Sequence, residues 1–157
     1  MIGNDLYNMS GNTGSLRYMA PEVARCDPYN HKVDVFSFGI LLWQMCSLEV
    51  PFATYNVQRH AERVVQGGER PPLDTKKWSP ELCALMDSCW STNISARPSF
   101  GSVGSQLRAE FDPYLGENEG NMLDVSNRTA KSLEGWIIIK NIKNAVWMIR
   151  YFDNSMI

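Results

Sequence analysis

Residues 32–48 read KVDVFSFGILLWQMCSL, and their apolar side chains occupy every face of a helix. Val33, Val35, Phe36, Phe38, Ile40, Leu41, Leu42, Trp43, Met45, Cys46 and Leu48 leave no polar stripe. A soluble helix that is apolar all round has to be surrounded by protein, whereas a surface helix shows one apolar face. The segment is therefore expected to stand as a buried central post. It falls short of the roughly 20 apolar residues that span a bilayer, and Lys32, Asp34, Ser37, Gln44 and Ser47 interrupt it. Asp34 lies in the first turn, where the helix dipole favours a carboxylate. Gly39 inside a helix costs about 1 kcal/mol relative to alanine, which points to a tight helix crossing.

Working outward, Ala20-Pro21-Glu22 precedes the post, and Cys89-Trp90 and Arg97-Pro98-Ser99-Phe100 follow it. With Asp34-Val-Phe-Ser-Phe-Gly39, these four short motifs stand in the order and spacing of the lower large lobe of protein kinases. The resemblance covers residues 11–111, with Phe36 in place of the usual tryptophan. It points to a serine/threonine kinase of the tyrosine-kinase-like group. The fold it implies is mainly α: the helical lower portion of the kinase large lobe around a buried central helix, with the N-lobe and catalytic loop absent.

Length and composition bound this reading. The chain has 157 residues, 44% of them hydrophobic, which is one domain with an ordinary core. Its net charge of -2 gives no reason to expect a nucleic-acid partner. The charge is uneven: residues 1–120 carry 10 basic and 14 acidic groups, and residues 121–157 carry 5 and 3. Cys26, Cys46, Cys83 and Cys89 form no C-x-x-C pair and have no histidine cluster near them, so no metal site is expected. Cys46 and Cys89 lie in apolar helical contexts that suit buried thiols. The start of the chain has no apolar run, and the expected setting is cytoplasmic. His31 and His60 are isolated and read as surface or capping residues without chemistry.

Four segments follow. Residues 1–31 are expected to be the end of an activation segment, with loop over residues 1–19 and a short helical turn from Pro21. Residues 32–112 are expected to be the helical remainder. Pro51-Phe52 ends the post, and residues 54–66 form a half-exposed helix stopped by Gly67-Gly68. Glu69-Arg70-Pro71-Pro72-Leu73 is a connector, and Ser79-Pro80-Glu81 starts a helix with a capping serine, an early proline and an early carboxylate. A last helix begins near Pro98 and carries Phe100, Val103, Leu107 and Phe111 at helical spacing. Residues 113–134 are polar and read as a linker, and residues 135–157 form a basic tail of open role.

The kinase resemblance implies roles for particular residues. Ser15, Leu16 and Arg17 match the loop that receives the substrate residue following the phosphoacceptor. The small hydroxyl of Ser15 fits the serine/threonine-specific pattern. Thr13 and Ser10 are candidate phosphorylation sites, since a phosphate in such a loop can order it against basic side chains. Glu22 is expected to pair with Arg97, whose planar fork grips a carboxylate by two bonds. Asp34, Gly39, Leu41 and Met45 match the anchors of the central helix on which the family's internal spines rest. The helix at residues 54–66 matches one that docks protein partners.

Phosphoryl transfer needs a Gly-rich loop, a strand lysine, a catalytic aspartate and a metal-binding D-F-G aspartate. None of G-x-G-x-x-G, V-A-I-K, H-R-D or D-F-G occurs in the chain, so no catalytic residue is assigned. The parent activity implied by the resemblance is ATP- and Mg²⁺-dependent phosphorylation of protein substrates. The chain itself is expected to bind neither cofactor. Its alternative reading is a non-catalytic interaction or decoy module.

In residues 135–152 a helix would place Lys140, Lys143 and Arg150 towards one side and Ile138, Ile142, Val146 and Ile149 on another. Three readings of that segment stand open: a surface helix for a membrane or partner groove, a terminal helix packed on the body, or an extension with no selected role.

Overall fold

The computed structural model describes the backbone of residues 14–115 and the side chains of residues 16–111. Among the described residues five α-helices follow one another: α1 Pro21–Ala24, α2 Lys32–Ser47, α3 Val57–His60, α4 Pro80–Cys89 and α5 Phe100–Leu115. Among the described residues there is no strand. The fold is mainly helical, as the sequence implies.

Helix α2 is the post. Val35, Phe36, Ile40, Leu42, Trp43 and Cys46 form one core with Leu82, Leu85, Met86 and Cys89 of α4 and Val103, Leu107 and Phe111 of α5. The post is not enclosed all round, however. Leu41 is 38% exposed and Asp34 faces solvent, while Phe38 and Met45 are half-buried. Helix α2 stops at Leu48 before Pro51 is reached. Leu48 takes a left-handed conformation, φ 59°, and its N–H bonds back to the Gln44 carbonyl at 2.9 Å. That cap satisfies an end carbonyl that the helix itself cannot.

Helix α4 starts as its sequence demands. The Ser79 hydroxyl accepts a bond from the Leu82 amide at 3.0 Å, Pro80 occupies the first turn and Glu81 adds an early carboxylate. Leu82, Leu85, Met86 and Cys89 face inward. In α5, Val103, Leu107 and Phe111 are buried, and half-buried Phe100 packs edge-on to Phe38 of α2 with ring centroids 5.9 Å apart. Helix α5 runs through Leu115, beyond the residue 113 at which the polar composition suggested a linker. The rest of the expected linker and the basic tail lie outside the described residues.

Two further expectations are corrected. The helix expected over residues 54–66 begins at Val57, because the Asn56 side chain accepts a bond from the Arg59 amide at 2.8 Å and so caps it. Residues 51–54 are a turn. The same helix then widens, since Ala61–Gln66 is π-helical. Gly14–Tyr18, expected as loop, forms a 3-10 turn.

At Gly39, α2 and α4 come into tight contact. A Cβ added there would lie 2.7 Å from the Cys89 Cβ, closer than real Cβ atoms come. Helix propensity alone would make Gly39→Ala stabilising by about 1 kcal/mol. The crossing is expected to reverse that sign, with Gly39→Ala destabilising by about 1–3 kcal/mol through overpacking. Urea unfolding of the variant checks it: a midpoint at or above the parent's contradicts the close crossing.

Candidate functional site

Glu22 of α1 and Arg97, just before α5, meet in the interior although 75 residues separate them. Arg97 Nη1 lies 2.5 Å from Glu22 Oε1 and Nη2 lies 3.0 Å from Oε2. Glu22 is 3% exposed and Arg97 1%. Every part of the guanidinium is used: Nε donates to the Ser91 carbonyl at 2.9 Å and Nη1 also reaches the Lys32 carbonyl at 3.2 Å. Lys32 Nζ in turn donates to the Arg97 carbonyl at 2.7 Å. Burial alone would push the Glu22 carboxyl up, but the hydrogen bond from Arg97, a backbone hydrogen bond and the arginine charge outweigh it and hold it below the ordinary value. Its stabilising share is therefore complete above the ordinary carboxylate range and lost as pH falls through the lowered value.

Phe36 lies beside this pair. The guanidinium carbons of Arg97 and Arg70 stand 5.1 Å and 4.8 Å from its ring centroid. Two cations near one aromatic ring are tolerable because the ring's negative face attracts both. Arg70 also donates through Nε to the Trp90 carbonyl at 3.0 Å and through Nη1 to the Glu69 and Val64 carbonyls at 2.9 and 3.3 Å. Arg25 Nη1 donates to the Val65 carbonyl at 3.0 Å.

The turn that carries Ser15, Leu16 and Arg17 is fixed to α2 by polar residues of the post. Ser37 Oγ donates to the Tyr18 carbonyl at 2.8 Å, and the Tyr18 hydroxyl donates to the Gln44 side-chain carbonyl. Leu16 and Arg17 are half-buried. The Ser15 side chain, Thr13 and Ser10 lie outside the described residues. Asp34, Leu41 and Met45 do not converge with Ser15, Leu16 and Arg17 on one cluster: Asp34 and Leu41 face solvent, and Met45 packs partly on the core.

The outer face of α3 and the π-helical segment is polar. Gln58, Arg59, Glu62 and Arg63 are exposed there, Arg59 stacks 4.5 Å above the Tyr55 ring, and Arg63 pairs with Glu69 at 2.8 Å.

Among the described residues no three His, Cys, Asp or Glu side chains gather where they could hold a cation. The cysteines offer no nucleophile in the core, because burial pushes the Cys46 and Cys89 thiols each up to about 12.

His60, read from the sequence as a surface or capping residue, is 2% exposed, and neither ring nitrogen has a partner. It packs edge-on against Phe52, with ring centroids 5.4 Å apart. Burial, with the nearby positive charges of Arg17 and Arg70, pushes its pKa below the ordinary 6.5.

The match to known proteins runs along the same residues. The family model described as protein tyrosine and serine/threonine kinase matches residues 2–107. Over 104 residues the chain is 44% identical to the serine/threonine-protein kinase VIK of Arabidopsis thaliana, covering 66% of this chain and 24% of that protein. It is 43% identical over 107 residues to the serine/threonine/tyrosine-protein kinase HT1 of the same plant, covering 68% and 27%. It is 39% identical over 93 residues to the dual specificity protein kinase shkD of Dictyostelium discoideum, covering 57% and 12%. The chain thus spans about a quarter or less of these relatives.

Because the unfolded state takes up a proton on His60 near pH 6.5 and the folded state resists it, the fold loses stability as pH falls below 6.5. His60→Leu is expected to raise stability by about 1–3 kcal/mol, since it removes an unpartnered buried polar group. Its advantage over the parent should widen between pH 7.5 and pH 5.5. Melting curves of the two proteins that shift in parallel across that range would contradict the assignment.

Proposed function

The chain belongs to the protein tyrosine and serine/threonine kinase family, and on that footing we propose that it is the substrate-side portion of a kinase large lobe, one that positions protein substrate rather than transferring phosphate. The observation that carries this reading is the buried pair of Glu22 and Arg97, which ties the end of the activation segment to the helical core. In that arrangement Gly14–Tyr18, held against α2 through Ser37 and Gln44, presents Ser15, Leu16 and Arg17 to the residue following a serine or threonine acceptor.

Proteins of this family use ATP and Mg²⁺, which supply the phosphoryl group and neutralise its charge. This chain contributes no glycine-rich phosphate loop, and its described carboxylates do not converge on a cation site. Binding of ATP and Mg²⁺ is therefore assigned to the remainder of a kinase domain, and the chain's own part is to hold the acceptor and the base of the lobe. Protein substrates are the partners of that whole domain. The exposed face of α3 and the π-helical segment is the surface on which a further protein partner would dock. Four free thiols support a cytoplasmic setting, and among the described residues no helix is long and apolar enough to cross a membrane.

A chimera tests the reading. In it the kinase-like residues of this chain replace the matching segment of the Arabidopsis VIK kinase. With Mg-ATP the chimera is expected to phosphorylate serine or threonine peptides, while the chain alone neither binds nucleotide nor transfers phosphate. Phosphate transfer by the chain alone, or a folded chimera without activity, would overturn it.

A further inference from the structure

His60 is the last residue of α3, and directly after it the regular helix gives way to the π-helical stretch Ala61–Gln66. Breaks of this kind concentrate at functional sites. The ring is 2% exposed, and among the described residues neither of its nitrogens has a hydrogen-bond partner. An apolar side chain in the same place would not bear the cost of that unmet bonding.

The segment that carries His60 is set apart from the main core. Buried residues of α2, α4 and α5 form one cluster, whereas Val64 and Val65 are buried without belonging to it. Arg25 of α1 and Arg70 of the connector donate to the Val65 and Val64 carbonyls at 3.0 and 3.3 Å. His60 packs on Phe52, which packs against the core in turn. These links are partly polar and lie outside the core, and links of that sort open before a hydrophobic core does.

Charge around the ring is one-sided. Arg17 of the 14–18 turn and Arg70 both disfavour a proton on it. On the elements around it the carboxylates are engaged elsewhere: Glu22 by Arg97, Asp27 by Arg25, Glu62 by Gln58, and Glu69 by Tyr55 and Arg63.

We propose that His60 is a pH-sensitive latch: a proton taken from solvent by its ring releases residues 57–66 from the lobe while α2, α4 and α5 stay folded. The inference goes beyond the kinase reading and does not depend on it. Closed, the ring is buried beside two arginines and resists the proton, so its pKa lies below 6.5. Released, it is hydrated and takes the proton near 6.5. Burial of Val64 and Val65 keeps the segment closed at neutral pH. Below pH 6.5 the released form gains, and its ratio to the closed form rises by up to about tenfold between pH 7.5 and pH 5.5.

Hydrogen exchange of backbone amides, read as protection factors at pH 7.5 and pH 5.5, tests this on the full chain. At both pH values the amides of residues 57–66 are expected to be at least about tenfold less protected than those of α2 and α4. Their protection should fall by about five- to tenfold on going to pH 5.5. In His60→Leu that fall should vanish, while α2 and α4 stay at least as well protected as in the parent. Segment amides as protected as those of α2 mean that the lobe opens as one unit, and they overturn the proposal. So does segment protection that ignores pH in the parent, and so does a fall that persists in His60→Leu and therefore belongs to another group. The first two of these results need no variant.

Discussion

The buried contact between Glu22 and Arg97 is the constraint around which the other elements are arranged. A carboxylate and a guanidinium taken out of water each lose several kcal/mol of solvation, which their attraction offsets only when geometry is good and the remaining donors are satisfied. Here they are satisfied, by the Ser91 and Lys32 carbonyls and by Phe36. The pair and these partners together lie on four stretches of chain: α1 with Glu22, α2 with Lys32 and Phe36, the segment after α4 with Ser91 and the approach to α5 with Arg97. Meeting the demands of one cation fixes all four relative to each other. A lysine could not do this, because a point charge has no planar fork to divide among a carboxylate and two carbonyls.

The same economy of donors explains the irregular helix at its side. In the π-helical segment the bonds run long, from the Gly67 amide to the Glu62 carbonyl at 3.0 Å and from the Glu69 amide to the Arg63 carbonyl at 2.8 Å. The Val64 and Val65 carbonyls are taken up by Arg70 and Arg25. The widening goes with burial of two adjacent valines, which a regular helix would turn about 100° apart. Arg70 thus links the π-helical segment to Phe36 and to the end of α4, and Arg25 links it to α1. Two groups of this region are left unbalanced: His60, a buried imidazole with arginines nearby and no acceptor, and the buried Nη2 of Arg70, which has no partner.

Much of the fold was legible in the sequence. The unbroken apolar pattern of residues 32–48 located α2, the Ser79-Pro80-Glu81 signal placed the start of α4 to the residue, and Gly39 signalled a close crossing because a mid-helix glycine needs a steric reason. The pairing of Glu22 with Arg97 carried no local signal. Residues 75 apart have no shared period, and only the likeness to kinases suggested that they meet. His60 was misread because an isolated histidine carries no signal of burial, and only the folded chain shows it packed under Phe52. The exposure of Leu41 was legible only in part. An all-apolar helix says that its faces prefer protein, and not which of them this chain covers.

The central claim is that the Glu22–Arg97 contact holds the helical lobe together, and a double-mutant cycle measures it most directly. Urea unfolding would be followed for Glu22→Ala, Arg97→Ala and the double variant. Each single substitution is expected to cost about 3–5 kcal/mol, because it strands a buried charge, and the double variant should cost little more than one of them. Single losses under about 1 kcal/mol, or losses that simply add, would contradict the account and leave the pair as a passenger in a core held by its apolar contacts.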